Sequence, residues 1–390
     1  MIQYYNPNFT VKSFLSSLFE KNPEEKIINH FKEYTSKKYI LVTGSCRSAL
    51  FLSYIAAGIT GKKIATTPLT CFSALHPVLL ADNEIEFVDI DDKSLNMDVS
   101  LLTDDLLDRI SAVQFIHHGG IPINYLDLKE KLKRKNIIII EDCAQAYGAK
   151  YDGENVGSAA DISCFSLIKN LFGIGGGILA TDNYYIYESA RKYQNTLPKV
   201  GFNLAVFRIF RNILDTYRKY GLMEYIYTIL MKLRPDRNDF EITKNKNNYI
   251  RQNRIILNIN SVQLNKVSTL NFINKKSALK TVKLLEEKNI LYNNLYNEDC
   301  SFAKLFIYNP KFNSEKIIRK MNKLGIEAKH LEQKYNSYYQ ERFDKLKVFY
   351  KNESIKNCRK YISIHDSVIS VPVKIDEYTL ISLINSLISA

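Results

Sequence analysis

Four short stretches in the first half of the chain carry side chains whose types and spacing could do chemistry. In Phe165-Ser166-Leu167-Ile168-Lys169-Asn170 an apolar run leaves into a lysine, and Gly173, Gly175, Gly176 and Gly177 follow, four glycines within five residues. A lysine between apolar neighbours can lose hydration, lower its pKa and serve in Schiff-base chemistry. The glycines would let backbone crowd against a flat ligand; the alternative is a solvated lysine beside a floppy loop. In Ile140-Glu141-Asp142-Cys143-Ala144-Gln145 a carboxylate closes an apolar run. An acid buried there is costly unless a cation pairs with it, either the ring nitrogen of a cofactor or a structural Arg or Lys. Thr43-Gly44-Ser45-Cys46-Arg47-Ser48 reads as a glycine turn between a strand and a helix. The free amides of a helix start can hold a phosphate, although glycine also marks turns that bind nothing. Pro68-Leu69-Thr70-Cys71-Phe72-Ser73-Ala74 offers Phe72 as a loop-borne aromatic to stack on a ring, or simply as core.

These residues need elements to position them. Apolar runs at Tyr39 to Thr43, Lys63 to Thr67, Glu84 to Asp89, Ala112 to Ile116, Asn136 to Glu141, Ile162 to Leu167 and Gly177 to Thr181 alternate with helical periodicity, beginning with a helix from Cys46 to Ala57. That rhythm predicts an α/β domain. Ile137 to Ile140 do not alternate with polar residues, as expected of a strand buried on both faces of a mainly parallel sheet. Tyr125 to Lys135 reads as a solvated amphipathic helix. A long helical pattern from Asn258 toward Lys288 would bridge into a smaller C-terminal α+β domain. That domain would hold strands at Phe302 to Tyr308 and Val368 to Val373, a helix at Ser314 to Leu324 and a closing helix from Glu377 to Ile388. The expected division is 1–257 and 258–390.

Composition narrows the function classes. With 390 residues, 46% hydrophobic and 24% charged, the chain is neither disordered nor collagen-like and needs no disulfide staple. Its six cysteines form no C-x-x-C pair, which argues against a zinc knuckle or a secreted disulfide framework and for a cytoplasmic setting. No signal peptide is read, and nowhere do 18 uninterrupted apolar residues occur. The net charge of +13 favours acidic partners, phosphorylated metabolites among them. Nucleic acid is not expected, because no single-strand or helix-turn-helix signature is present.

The ordered set TGSCRSAL, TTPLTCFSALHPV, EFVDIDDKSLNMD, HHGGIP, IIEDCAQAYGAKYDGENVGSAADISCFS, KNL with its glycines, VQL and SVISVPV resembles the fold type I pyridoxal-phosphate enzymes of the DegT/StrS sugar-aminotransferase family, from about Tyr39 onward. The resemblance implies the aspartate-aminotransferase-like fold and pyridoxal 5'-phosphate as cofactor. It makes Lys169 the residue that bonds the cofactor and shuttles the proton, Asp142 the partner of the pyridinium nitrogen and Gln145 the partner of the ring hydroxyl. Phe72 would stack on the ring, while Ser166, with the amides and hydroxyl around Ser45 and Cys46, would hold the phosphate. His117, in the HxxGxP pattern, would lie on the substrate side; His118 should face the other way, so the two make a poor metal pair and no metal is expected.

Three departures from the family pattern stand out. Ser166 and Lys169 are two residues closer than in its commonest form. In the GxNxR element near Arg251, whose Asn reaches the phosphate in the partner subunit's site, Tyr249 holds the Asn position, with Asn248 and Asn253 as substitutes. Finally, Gly201 to Asn248 looks like an insertion of roughly thirty residues relative to compact members. Within it Phe202, Val206, Ile209, Ile213 and Tyr217 share one helical stripe and Arg208, Arg211, Asp215, Arg218 and Lys219 the other. Seven Lys or Arg stand against Asp215 and Glu224 between Lys199 and Pro235. Such helices could lie on the inner face of an anionic membrane through 199–237, take a lipid-linked or diphosphate substrate, or pack on the protein or its dimer mate.

The expected activity is amination of a ketosugar, nucleotide-linked, with glutamate as donor, by a homodimer that borrows Arg251 across the subunit boundary, for cell-surface polysaccharide or secondary-metabolite synthesis. The enzymatic rival is a pyridoxal-phosphate sugar dehydratase, which Lys169 disfavours because the family's dehydratase has His in that place. The other is a non-catalytic basic protein of the membrane surface.

Overall fold

The computed structural model describes residues 8–217, 221–232, 249–291, 296–330, 353–364 and 367–373. Helices α1 (Val11–Ser17) and α2 (Pro23–Thr35) lead into β1 (Tyr39–Thr43), α3 (Cys46–Ala56), β2 (Lys63–Thr66), α4 (Phe72–Leu80), β3 (Glu84–Phe87), α5 (Asp104–Leu107), β4 (Ala112–Ile116), α6 (Leu126–Arg134) and β5 (Ile138–Asp142). A small hairpin of β6 (Lys150–Tyr151) and β7 (Glu154–Asn155) precedes β8 (Ile162–Ser166), β9 (Gly177–Thr181) and α7 (Tyr184–Thr196). Helices α8 (Phe202–Tyr217), α9 (Gly221–Lys232), α10 (Arg254–Leu264) and α11 (Val267–Glu287) follow. The last part contains β10 (Leu305–Tyr308), α12 (Ser314–Lys323), β11 (Lys329–His330), α13 (Arg359–Ile364) and β12 (Val368–Val371). The expected helix at Glu377 to Ile388 lies outside the described residues, as do Asn248, Arg218 and Lys219.

The seven-stranded sheet has the order β1-β9-β8-β5-β4-β2-β3. Neighbours from β8 across to β3 run parallel. Strand β9 alone is reversed, antiparallel to both β1 and β8. Central β5, with Ile139 and Ile140 buried, is covered on both faces, which suits its unbroken β-branched run. Six strands therefore end on one edge of the sheet, and β9 begins there. In such sheets that edge is where loops gather into a binding crevice. A second, three-stranded sheet has the order β10-β12-β11, antiparallel throughout.

Two expectations about the helices need correction. The long pattern from Asn258 toward Lys288 is two helices, because the N–H groups of Asn265 and Lys266 bond three residues back, to Val262 and Gln263, in a tightened terminal turn. Helix α8 buries Ala205, Phe207, Ile209 and Asn212 and exposes Phe202, so its covered face is rotated from the expected stripe. That face joins a cluster with Phe9, Ile174, Ile256 and Ile259, and Thr216 accepts the Phe9 N–H at 2.9 Å. Arg208, expected on the solvated side, points its Nη1 to within 2.6 Å of the place a Cβ on Gly175 would take. The exposed apolar side chains of this region include Phe210 on α8 and Leu222 and Tyr225 on α9. Among the described residues no helix is long and apolar enough to cross a membrane.

The start of α3 is closed off by a later segment of chain. Gly44 donates its N–H to the Ile250 carbonyl at 2.9 Å, and a Cβ on Gly44 would stand 2.1 Å from that oxygen. Gly44→Ala is accordingly expected to destabilise the protein by about 1–3 kcal/mol through overpacking. Chemical denaturation of the two proteins checks this, and equal stabilities would show that Ile250 does not crowd this turn.

Candidate active site

Ser45, Asp142, Gln145, Ser166 and Lys169 sit on loops or strand ends at the common sheet edge, and Cys46 opens α3 there. Ser45 caps α3, accepting the Ser48 N–H at 3.0 Å in extended backbone geometry. The cap leaves the N–H groups of Cys46 and Arg47 without an intrahelical acceptor. Gly177, the first residue of β9, pairs with Thr43 on one side and Ser166 on the other, and Ser45 bridges to Gly176. Ser45 and Ser166 thus flank the glycine strip. The Ser166 hydroxyl accepts the Ile168 N–H at 3.4 Å, and half-buried Lys169 follows one residue later.

Asp142 ends β5 with its side chain almost covered. Its Oδ1 accepts the Ala144 N–H at 3.0 Å and the Cys46 thiol at 3.8 Å. Burial pushes its pKa up, opposed by the positive charge of Lys169 and by the Ala144 amide. Burial and then the Asp142 charge push the Cys46 thiol well up, so it stays a neutral donor. Lys169, Asp142, Cys46 and Cys71 all act electrostatically within this one group. Gln145 lies in the turn after β5, its Oε1 accepting the Gly119 N–H at 3.2 Å.

The residue before Asp142 behaves oppositely. A strand turns successive side chains to opposite faces, and Glu141 is wholly buried away from the crevice. It accepts from His117 Nε2 at 3.0 Å, Tyr151 Oη at 3.0 Å and Ser163 Oγ at 3.1 Å. Burial alone would raise its pKa, but the hydrogen bond from His117, with those from the tyrosine hydroxyls, holds it below the usual carboxylate value. His117 Nδ1 accepts the Ile123 N–H at 3.0 Å, so Nε2 carries the proton. With both nitrogens engaged inside the fold, His117 braces Glu141 and does not face a substrate. Cys143 completes a buried trio with these two, the set among the described residues whose donor atoms lie close enough for a metal. Its His–Glu contact is already a hydrogen bond.

Two more expectations are corrected. Phe72 is the first residue of α4, not loop-borne, and its ring lies in the core with the His76 ring 5.4 Å away. Tyr249 is completely buried, its hydroxyl 2.5 Å from His76 Nδ1 and its ring against Phe51. Asn253 cannot stand in for the missing Asn: Oδ1 caps α10 through the Ile255 N–H and Nδ2 donates to the Val200 carbonyl. Arg251 is fixed through its backbone, which pairs with Pro198 and Val200. Asn260 and Gln263 of α10 hold the glycine loop through its backbone; Gln263 was visible only as part of VQL, and no local spacing marked Asn260.

The fold is that of the fold type I sugar aminotransferases. Helicobacter pylori PseC, an aminotransferase involved in the biosynthesis of pseudoaminic acid, superposes with a TM-score of 0.70 at 19% identity, over 100% of this chain and 98% of that one. Residues 15–203 match the DegT/DnrJ/EryC1/StrS aminotransferase family. The UDP-4-amino-4,6-dideoxy-N-acetyl-beta-L-altrosamine transaminase of Campylobacter jejuni is 34% identical over 175 residues, 43% of this chain and 46% of that protein. The GDP-perosamine synthase of Escherichia coli O157:H7 is 29% identical over 187 residues, 47% and 50% of the two chains. The chain spans about half the length of the curated relatives it matches.

The adjacent acids of β5 give a test with opposite signs. Glu141 has its native pKa below the unfolded value, so its stabilisation is present above about pH 4.3 and is lost as pH falls through the native pKa. Asp142 has its native pKa raised, so its ionisation costs stability above the unfolded value of about 3.9, a cost absent at lower pH. In the cofactor-free protein at pH 7, Glu141→Gln should destabilise by about 1–3 kcal/mol while Asp142→Asn raises the melting temperature. Thermal melts of both variants decide it; a common direction would contradict the two environments.

Proposed function

We propose that the chain is a pyridoxal 5'-phosphate-dependent aminotransferase that converts a ketosugar carried on a nucleoside diphosphate into an aminosugar, with glutamate as amino donor. The observation that carries this reading is the buried Asp142 carboxylate, raised in proton affinity, grouped with Lys169 beside the start of α3. A protonated pyridine nitrogen would relieve Asp142 of its uncompensated charge, and a phosphate would take the amides at Cys46 and Arg47, so the donor set fits the cofactor. Sugar transaminase activity in the names of the relatives from Campylobacter jejuni and Escherichia coli supports the same class.

Pyridoxal phosphate, when bound, supplies an aldehyde carbon and an electron-withdrawing ring. The chain's residues do the rest in this reading. Lys169 Nζ would hold the cofactor covalently until the amine of the amino donor displaces it; the freed amine would then take the donor's α proton and, in the second half of the reaction, deliver a proton to the sugar carbon that gains the nitrogen. Asp142 keeps the ring nitrogen protonated, and the Cys46 thiol steadies its carboxylate. Gln145 orients the ring, and Ser45 with Ser166 closes around the phosphate. Ring stacking is not assigned to Phe72. We place the enzyme in the cytoplasm as a homodimer feeding polysaccharide synthesis, with Arg251 reaching the partner's substrate, and divide it near residue 257. Contact of 199–237 with a membrane is not part of this reading, since α8 already seats one face on its own protein.

Adding pyridoxal phosphate, reducing with borohydride and mapping the labelled peptide should place the modification on Lys169, and Lys169→Ala should abolish both the label and transamination. A label on another lysine, or full activity in Lys169→Ala, would remove the proposal.

A further inference from the structure

The loop from Ile168 to Gly176 leaves β8 and returns as β9 through the protein interior, so its backbone polar groups need partners other than water. Helices α10 and α11 provide them through side-chain amides. Asn260, only 2% exposed, accepts the Ile174 N–H on Oδ1 at 3.1 Å and donates from Nδ2 to the Gly175 carbonyl at 2.7 Å. Gln263 donates to the Phe172 carbonyl at 2.8 Å and Asn271 to the Asn170 carbonyl at 3.0 Å. The glycines give the amide room: a Cβ on Gly173 would stand 2.5 Å from Asn260 Oδ1, and Gly176 carries a φ of +104°. One side chain thus grips the peptide units on either side of the Ile174–Gly175 peptide, one through its donor and one through its acceptor, a few residues after Lys169.

We infer that Asn260 is a positioning residue for Lys169: its two hydrogen bonds to the glycine loop set where the lysine amine stands relative to Asp142. This rests on the reading of Lys169 as the cofactor-bonding residue. Neither an acceptor alone nor a donor alone can reproduce the grip. Asn260→Asp keeps an acceptor for Ile174 but sets a carboxylate against the Gly175 carbonyl, and Asn260→Ala removes both bonds while leaving a smaller side chain.

The test separates the place of Lys169 from the integrity of the pocket. The wild type and both variants are freed of cofactor. They are then assayed for the rate of borohydride-trapped attachment of pyridoxal phosphate, the pH midpoint of the bound cofactor's visible absorbance, and the affinity for pyridoxamine phosphate, which cannot bond to lysine. Both variants should attach pyridoxal phosphate at least about tenfold more slowly with a displaced pH midpoint, while pyridoxamine phosphate affinity stays within about twofold. Unchanged attachment and midpoint would overturn the inference, and so would a parallel loss of pyridoxamine phosphate affinity, which marks a general structural role. If Asn260→Ala does not fold, Asn260→Asp alone decides by the same criteria. A wild type that bonds no pyridoxal phosphate would overturn the functional reading and this inference together, whereas normal wild-type attachment with indifferent variants would sink only the inference.

Discussion

Direction of chain is the constraint on which the molecule depends. Six strands of the large sheet point the same way, so their carboxyl ends, and the loops that follow them, share one edge. Had β9 been parallel too, the glycine strip would enter at the far edge and Gly177 could not lie between Thr43 and Ser166. Reversing that one strand brings backbone without side chains into the gap between the helix start at Ser45 and the lysine loop. The chemistry is local, but the sheet is what makes distant residues local.

A second-order consequence follows for charge. On β5 the two-residue alternation sends adjacent acids to opposite faces, and the fold treats them differently. Glu141 meets three hydroxyl or imidazole donors in a dry interior, whereas Asp142 meets one amide, a weakly donating thiol and the field of Lys169. The first is a finished structural network. The second is an acid held ready for a cation, and that difference gives the pair its division of labour.

Much of this arrangement was legible in the chain. Strand and helix rhythm is local, so the α/β class followed from periodicity, and β1, β4 and β9 carry the bounds expected of them. Asp142 and Ser166 close strands, Ser45 and Cys46 stand where a helix begins and Lys169 follows the end of β8, so each was conspicuous beside an element boundary. What escaped was set by partners far along the sequence. His117 braces Glu141, 24 positions away, a pairing that neither of their motifs revealed. Tyr249 turns inward because His76, 173 residues earlier, offers its hydroxyl a partner. The rotation of α8 depends on Ile174 and Ile256, neither of which belongs to that helix. Asn260 carried no local signal, since a lone asparagine in a helical run has many innocent explanations.

The seat of α8 on Ile174 makes this helix more than ornament. Trimming it would uncover Ile174 in the glycine loop that follows Lys169, so a shortened chain would need a replacement lid there. Helix α8 and the glycine loop are coupled in this chain, and an engineer who swaps one inherits an obligation to the other.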